Sequence, residues 1–209
     1  MFKIDHARLE IEPDFEARSI SGKIMYAAKA TANPISSIDL DVADLNIRSI
    51  NVNGAEASFE TWQSSVKVEL GFELASDSTA RLEIEYCATP KKGLYFRGPD
   101  NENPSRFVHL FTQGQAEDSK FWYPCFDSPN MRFSSEVVAK IPRDMIAVSN
   151  GKLLSVKEEE EKGAGKRMWH FSQEIPHSSY LLSLIVGEYE KISIEHGGIS
   201  VEYYVPKYR

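Results

Sequence analysis

The chain has 209 residues, of which 42% are hydrophobic and 26% charged, and its formal net charge at pH 7 is −7. These values are typical of a soluble globular protein, and the acidic balance argues against nucleic-acid binding, which rests on dense lysine and arginine contacts to phosphate. With two cysteines, no signal-peptide core and no apolar run long enough to cross a bilayer, the sequence predicts a cytoplasmic protein without nucleic-acid or membrane partners.

Short segments of alternating apolar and polar residues follow one another through the first half of the chain. This period of two buries one face of a strand and wets the other, as in antiparallel sheets. Turn formers separate the segments, and Asn53-Gly54 is a hairpin signal because both residues tolerate positive φ. The clearest segments are residues 9–12, 38–42, 66–70 and 82–86.

The second half continues with short strands. The run 180–186 is nearly all apolar, which is typical of a strand buried on both faces. The charge-dense residues 157–167 predict a solvated hairpin loop. The other predicted strands are residues 137–141, 146–149 and 199–203.

No segment has a long amphipathic helical period, although residues 42–47 and 116–121 could each form one helical turn. Many short strands at close spacing are typical of sandwiches and related folds. There is no internal repeat and no low-complexity linker. The sequence therefore predicts an all-β fold, a multi-stranded antiparallel β-sandwich or saddle, with residues 1–209 as a single domain.

The usual catalytic patterns are absent from the sequence. The five histidines form no HExxH motif and the two cysteines form no CxxC, so neither standard zinc pattern is present. A phosphate-binding glycine loop and the GxSxG nucleophile turn are also missing. Cys125 lies between a proline and a phenylalanine, and apolar surroundings make a thiol unreactive. We predict no catalytic residue and no metal site in this chain.

The most unusual segment is residues 112–129, TQGQAEDSKFWYPCFDSP. Its aromatic block, residues 121–123, is predicted to anchor the core, and Asp127 is predicted to cap a turn with its side chain. Gln113 and Gln115 are two apart, and side chains at this spacing on an extended segment point the same way, so both amides could converge on one ligand. The alternative is that these amides satisfy neighbouring backbone groups.

The TQGQ and PCFDSP motifs in residues 112–129 resemble the segment at the active-site edge of the N-terminal domain in the peptidase family M1 zinc aminopeptidases. Further similarities run in the same order along nearly the whole chain, so together they are much more specific than any one of them. They are Ser21-Gly22, Gly93-Leu94-Tyr95, Ser149-Asn150-Gly151 and residues 178–189.

This resemblance implies the β-saddle N-terminal domain of a longer enzyme that removes N-terminal residues from peptides. In the family the next domain carries the HExxH zinc site, so we expect zinc to be bound outside this chain and the chain to be inactive alone. By position, Gln113 would line the pocket for the first substrate side chain, and the amide oxygen of Gln115 would bind the α-ammonium group of the peptide. The expected partners are a peptide N-terminus and the protein's own downstream catalytic domain.

The chain also departs from the family pattern at two positions. Many members have Glu where this chain has Gln115, so the charge-assisted part of the hydrogen bond is lost here. The leukotriene-hydrolase branch of the family is similar to this sequence in having Gln. The family usually has Arg upstream of the PCFD corner, where this chain has Lys120-Phe121, a difference that affects local ion pairing rather than the fold.

A non-catalytic relative that acts as a protein-interaction scaffold is the alternative function. A similar domain occurs in a general transcription factor subunit, whose corner also combines an aromatic residue with PC-x-D-S. Retention of Gln113 and Gln115 favours the enzyme, because a scaffold does not need two convergent amides. A stand-alone carbohydrate-binding β-sandwich is a third interpretation, which the collinear similarities disfavour.

Overall fold

The computed structural model describes residues 1–159 and 165–207. Within these ranges the chain forms 17 strands and two short 3₁₀ helices, Ser119–Phe121 and Ser179–Leu181. The strands in chain order are β1 (Phe2–Asp14), β2 (Ser19–Ala30), β3 (Ile35–Asp41), β4 (Leu45–Val52), β5 (Ala55–Glu56), β6 (Phe59–Thr61), β7 (Ser65–Leu74), β8 (Thr79–Ala88), β9 (Leu94–Arg97), β10 (His109–Thr112), β11 (Arg132–Pro142), β12 (Ile146–Ser149), β13 (Lys152–Glu158), β14 (Lys166–Ser178), β15 (Leu184–Gly187), β16 (Tyr189–His196) and β17 (Ile199–Pro206).

An eight-stranded sheet forms the body of the fold, with the strand order β13-β14-β11-β1-β2-β8-β4-β5. Every second side chain of its central strands points into the core. On β2, Ile24, Tyr26 and Ala28 are buried, whereas the residues between them are partly exposed. The apolar residues of the alternating pattern thus lie on this core face. The residues between them lie on the opposite side of the sheet, called here the outer face.

The eight-stranded sheet is mixed, because β1 and β11 run parallel, with Leu9 opposite Val137. Its other neighbouring strands are antiparallel. The predicted antiparallel arrangement therefore holds for this sheet except at this one junction. The paired residues here are far apart in the chain, since His6 and Ser134 are separated by 128 positions. A local pattern determines which face of a strand is buried but not the direction of so distant a neighbour.

Three smaller sheets complete the described part of the chain, with the strand orders β12-β15-β10-β9, β3-β7-β6 and β16-β17. The first two share one buried apolar cluster with the large sheet, to which Ile38, Val66, Leu110 and Leu184 contribute. The predicted all-β fold is confirmed, as a set of mixed and antiparallel sheets. Within the described ranges no helix has the length and apolar character needed to cross a membrane.

Two local predictions are wrong. Residues 42–47 do not form a helical turn, because β4 begins at Leu45 and a bulge between Ile47 and Ser49 hides its strand periodicity. The apolar run 180–186 is only partly a strand, since β15 begins at Leu184 and a 3₁₀ helix comes before it. The first of these errors arises because a bulge interrupts the two-residue period of β4, and the period is then no longer visible in the sequence.

Other local predictions hold. Asn53 and Gly54 have φ values of 52° and 85° and join β4 to β5, as the hairpin signal indicates. The second predicted helical turn is present as the 3₁₀ helix at Ser119–Phe121. The charged segment 157–167 lies between the antiparallel strands β13 and β14, but the prediction of a loop is wrong at both ends, since residues 157–158 and 166–167 belong to these strands. Its residues 160–164 lie outside the described residues.

The outer face of the large sheet carries ion pairs around Glu136 and a cavity of about 510 Å³. The Glu136 carboxylate accepts a hydrogen bond from Arg8 Nη1 and is hydrogen-bonded to His170 Nε2, each at 2.7 Å. Partial burial opposes ionisation, but the hydrogen bond with His170 and the charge of Arg8 outweigh it and lower the pKa of Glu136. The ionised carboxylate therefore stabilises the folded state.

We expect Glu136→Gln to reduce the free energy of unfolding at neutral pH and to have a smaller effect in acid. A carboxylate with a lowered folded-state pKa stabilises above its ordinary value, about 4.3, and this contribution is lost as the pH falls through the lowered pKa. Urea unfolding of both proteins at about pH 7 and about pH 3 measures the difference. Glu174→Gln, at an exposed position of β14, is the control. An effect of Glu136→Gln that is equal at both pH values would contradict the argument.

Candidate functional site

Strand β10 leads directly into the loop that carries the two glutamines, residues 113–118, called here the glutamine loop. The Thr112 hydroxyl accepts a hydrogen bond from the backbone N–H of Leu184 at 2.9 Å. The backbone N–H of Gln113 donates to the carbonyl of Gly93 at 2.8 Å, and that of Asp118 donates to the carbonyl of Gly114 at 2.9 Å. The loop backbone is thus held by the segment before β9, by β15 and by its own closing bond.

Two glycines let other backbone segments approach the glutamine loop closely. Gly93 has a φ of +72°, and a Cβ at this position would lie 2.0 Å from the carbonyl oxygen of Asp118. At Gly114, between the two glutamines, a Cβ would lie 2.8 Å from the carbonyl oxygen of Tyr180. Real Cβ atoms do not approach backbone atoms so closely, so both positions require glycine.

The side chains of Gln113 and Gln115 are exposed. Neither amide has a side-chain hydrogen-bond partner among residues 1–159 and 165–207. The alternative prediction, that these amides satisfy neighbouring backbone groups, is therefore wrong for the described residues. Gln113 follows the end of β10, whereas Gln115 begins a turn and its peptide bond to Ala116 is cis. Their role in substrate binding stays a prediction.

The corner formed by residues 124–129 is bonded to the core from two sides. The backbones of Asp41 and Cys125 pair through two hydrogen bonds, at 2.7 and 3.1 Å. The buried Tyr26 hydroxyl donates to the carbonyl of Pro124 at 2.6 Å. Burial raises the pKa of the Cys125 thiol well above its ordinary value, so the thiol stays protonated and unreactive. The predicted structural role of Cys125 agrees with these contacts.

Asp127 has different partners from those predicted. Its carboxylate accepts hydrogen bonds from the backbone N–H of Lys120 at 3.2 Å and from the hydroxyl of Ser179 at 3.3 Å. The Asp127 carboxylate therefore links the 3₁₀ helix Ser119–Phe121 to the 3₁₀ helix Ser179–Leu181. It does not cap a turn that follows Asp127. Burial raises the pKa of Asp127 despite these two bonds. Ser179 lies 52 positions away, and no local pattern indicates it.

The aromatic block behind the glutamine loop is mostly buried. Trp122 and Tyr123 are inaccessible to solvent and pack edge to face, with ring centroids 4.6 Å apart. The predicted core position is confirmed for these two residues. It is wrong for Phe121, which is half-buried and lies under the ammonium group of Lys92, 5.2 Å from its ring centroid.

Sequence reasoning missed a second aromatic group on β9 and β10. The rings of Tyr95 and Phe111 stack with centroids 5.3 Å apart, and His109 stacks on Phe111 at 5.9 Å. The Arg97 guanidinium lies over both aromatic rings, 5.6 and 6.0 Å from their centroids. The sequence signal for this group is the pair of ring side chains His109 and Phe111, which are two residues apart just before the TQGQ motif.

No metal site is formed by the described residues. Within residues 1–159 and 165–207 there is no group of three or more His, Cys, Asp or Glu side chains placed to hold an ion. Four of the five histidines have hydrogen-bond partners within the fold, and His177, for example, bonds to Ser135 at 2.8 Å. The side chains of this part of the chain therefore do not form a zinc site.

The described residues form an all-β domain in which an exposed polar loop is held by backbone hydrogen bonds. The chain belongs to the peptidase M1 N-terminal domain family, whose model matches residues 3–181.

Similar proteins are longer than this chain. Leukotriene A-4 hydrolase from Xenopus laevis is 26% identical over 197 residues, which cover 90% of this chain and 32% of that protein. Leucine aminopeptidase 2 from Candida albicans is 28% identical over 200 residues, 92% of this chain and 29% of that protein. The chain thus spans about a third of the length of these relatives.

The fold is similar to that of a solved M1 zinc metallopeptidase from Deinococcus radiodurans. The TM-score is 0.78 with 23% sequence identity, over 96% of this chain and 46% of the other. At this identity the likeness shows the fold alone.

Proposed function

We propose that this chain is the substrate-pocket domain of a zinc-dependent aminopeptidase that removes N-terminal residues from peptides. The observation that carries the proposal is the state of the two glutamine amides. Both are exposed and free of side-chain partners in the described ranges, on a loop that three backbone or side-chain hydrogen bonds hold in place. An amide that is exposed on an anchored backbone and has no internal partner is available to a ligand.

The chemistry of an amide suits the N-terminus of a peptide. The oxygen of Gln115 accepts hydrogen bonds, and an α-ammonium group has three N–H donors to offer. The amide of Gln113 then lines the pocket for the first side chain. One residue is removed at a time only if the free N-terminus is held at a fixed distance from the scissile bond, which is a positioning effect. We assign these two glutamines to positioning rather than to bond cleavage.

The similar proteins support this assignment. They include leucine aminopeptidase 2 and leukotriene A-4 hydrolase. A mutant of the M1 zinc metallopeptidase from Deinococcus radiodurans was solved bound to a Tyr-Ser-Ala substrate. We propose that zinc, which polarises a carbonyl and activates water in such enzymes, is bound by a catalytic domain outside this chain. The 209-residue chain alone should show no peptidase activity with added zinc; measurable turnover would contradict this division of labour.

We expect Gln115→Ala in the full-length protein to raise KM and lower kcat for aminoacyl substrates. A hydrogen bond to a charged group is worth about 1.5–3 kcal/mol, so kcat/KM should fall by roughly 10- to 100-fold. Steady-state kinetics with an aminoacyl anilide measures both constants. Gln63→Ala, which removes another exposed amide from the segment before β7, is the matched control and should leave both constants unchanged.

Two results would count against the proposal. Unchanged kinetics for Gln115→Ala would remove the assigned role of that residue. A full-length protein without any aminopeptidase activity would favour the alternative, a non-catalytic scaffold.

Cytoplasmic location stays a prediction; both cysteines, Cys87 and Cys125, are free thiols in the structure.

A further inference from the structure

The cavity of about 510 Å³ on the outer face of the large sheet, called here the outer-face cavity, crosses nearly the whole sheet. Its lining residues come from seven of the eight strands, from β13 at one edge to β4 next to the other. In a flat sheet these two strands would lie about 29 Å apart, because neighbouring strands are about 4.8 Å apart. They line one cavity because the twisted sheet is concave on this side.

The strand register gives the outer-face cavity an apolar floor. In one row across the sheet Val138 lies between Glu10 and His170. In the next row Lys140 is paired with Met168. Val138 and Met168 are therefore diagonal neighbours on adjacent strands, close enough for their side chains to form one surface. Both are partly buried although they lie on the outer face, so this floor suits the apolar body of a ligand.

The carboxylates that line the outer-face cavity are all paired with cations. Each forms an ion pair with a cation of the same lining: Glu10 with Arg8, Glu12 with Lys140 and Glu85 with Lys23, at 3.1, 3.4 and 3.6 Å. Their charges are therefore balanced within the cavity, and none of them is left to bind a cationic ligand.

Two cations of the lining have no such partner. The side chains of Arg48 on β4 and Lys157 on β13 form no ion pair and no hydrogen bond with another described residue. The hydroxyls of Ser21 and Ser155 also line the cavity without a side-chain hydrogen bond in the described part of the chain. In a protein of net charge −7, these two unpaired cations make the cavity a local site for an anion.

We propose that the outer-face cavity binds a small organic anion. Its apolar body would lie on Val138 and Met168, its charged groups would bind the two unpaired cations, and the free hydroxyls would supply hydrogen bonds. This site is separate from the glutamine loop, which follows β10 in another sheet. The inference therefore does not depend on the proposed function.

The size of the cavity favours a small molecule over a protein partner. Small-molecule sites have volumes of about 300–1,000 Å³, and the outer-face cavity lies within that range. A stable protein interface buries about 800 Å² on each partner and has an apolar centre. Here the apolar floor is formed by Val138 and Met168, with ion pairs on both sides of it.

The test measures binding of anilinonaphthalene sulfonate, an anion with an apolar body, to the full-length protein by fluorescence titration. Arg48→Gln and Lys157→Gln should each raise Kd by about two- to fivefold and together by about tenfold, the usual effect of one or two exposed ionic contacts. Binding should also weaken as NaCl is added, because salt screens exposed charges. Arg18→Gln and Lys152→Gln, which remove exposed cations outside the cavity, are the controls and should leave Kd unchanged.

Methionine methyl NMR locates the bound dye. The Met168 resonance should shift during the titration, whereas that of Met145, which is buried outside the cavity lining, should not. Replacement of each methionine with leucine assigns its signal. A shift of Met145 without one of Met168 would place the dye elsewhere and overturn the proposal.

Two other results would also overturn the proposal. One is a Kd that the double variant of Arg48 and Lys157 does not change, or changes no more than the control variants do. The other is displacement of the dye by an oligoglutamate peptide at lower concentration than by naphthoate, which would make the ligand an acidic peptide. Displacement by naphthoate at the lower concentration is the expected result, because only naphthoate combines one charge with an apolar body.

Discussion

Replacing Trp122 with alanine is expected to lower the free energy of unfolding by about 3–5 kcal/mol, the usual cost of removing a buried tryptophan. Trp122 is fully buried, and its ring packs on Tyr123. Its Cδ1 also lies 2.9 Å from the position of a Cβ on Gly93, so the indole fills the space beside the strand that supports the glutamine loop. The vacated volume has rigid backbone on one side and cannot collapse fully.

Two further substitutions make the measurement specific. Trp122→Phe should cost clearly less than alanine, because a ring remains and the indole Nε1 has no hydrogen-bond partner among the described residues. Trp62→Ala, at a site that is 52% exposed, should change stability by less than about 1 kcal/mol. Urea unfolding followed by far-ultraviolet circular dichroism gives all three values. A loss for Trp122→Ala similar to that for Trp62→Ala would show that the corner is not part of the cooperative core.

Local periodicity predicts most of this fold. A period of two locates the strands and their buried faces, because burial on one side is a property of neighbouring residues alone. The parallel pairing of β1 with β11 could not be predicted, since it joins residues 128 positions apart. The sequence also did not indicate β4, because the bulge between Ile47 and Ser49 moves its apolar side chains from one face of the strand pattern to the other.

The sequence indicated the two candidate glutamines, whose role stays a prediction, but it did not indicate the contacts that support their loop. Gln113 and Gln115 stand out because they belong to a motif, and the structure adds that their amides have no partners in the described ranges. The bond from Asp127 to Ser179 and the contact of Gly114 with Tyr180 both bring a distant 3₁₀ helix to the loop. Such contacts depend on tertiary packing, which a single sequence does not specify.

Gly93→Ala is expected to lower the free energy of unfolding by about 2–5 kcal/mol. An alanine at positive φ costs about 1–2 kcal/mol, and forcing a Cβ against backbone adds about 1–3 kcal/mol. Here φ is +72° and the new Cβ would lie 2.0 Å from the carbonyl oxygen of Asp118. The chain must move, and the carbonyl of Gly93, which holds the N–H of Gln113, moves with it.

Gly71→Ala separates the two causes. Its φ is +77°, close to that of Gly93, but nothing lies within 4 Å of a Cβ at that position. Both variants carry the conformational penalty, so the difference between their unfolding free energies measures the clash. Under the proposed function, only Gly93→Ala should also lower kcat/KM of the full-length protein, because a displacement of about 1 Å at a positioning group can cost roughly 100-fold in rate. Equal kcat/KM for the two variants would mean that the glutamine loop does not depend on Gly93, and the support assigned to that backbone bond would be wrong.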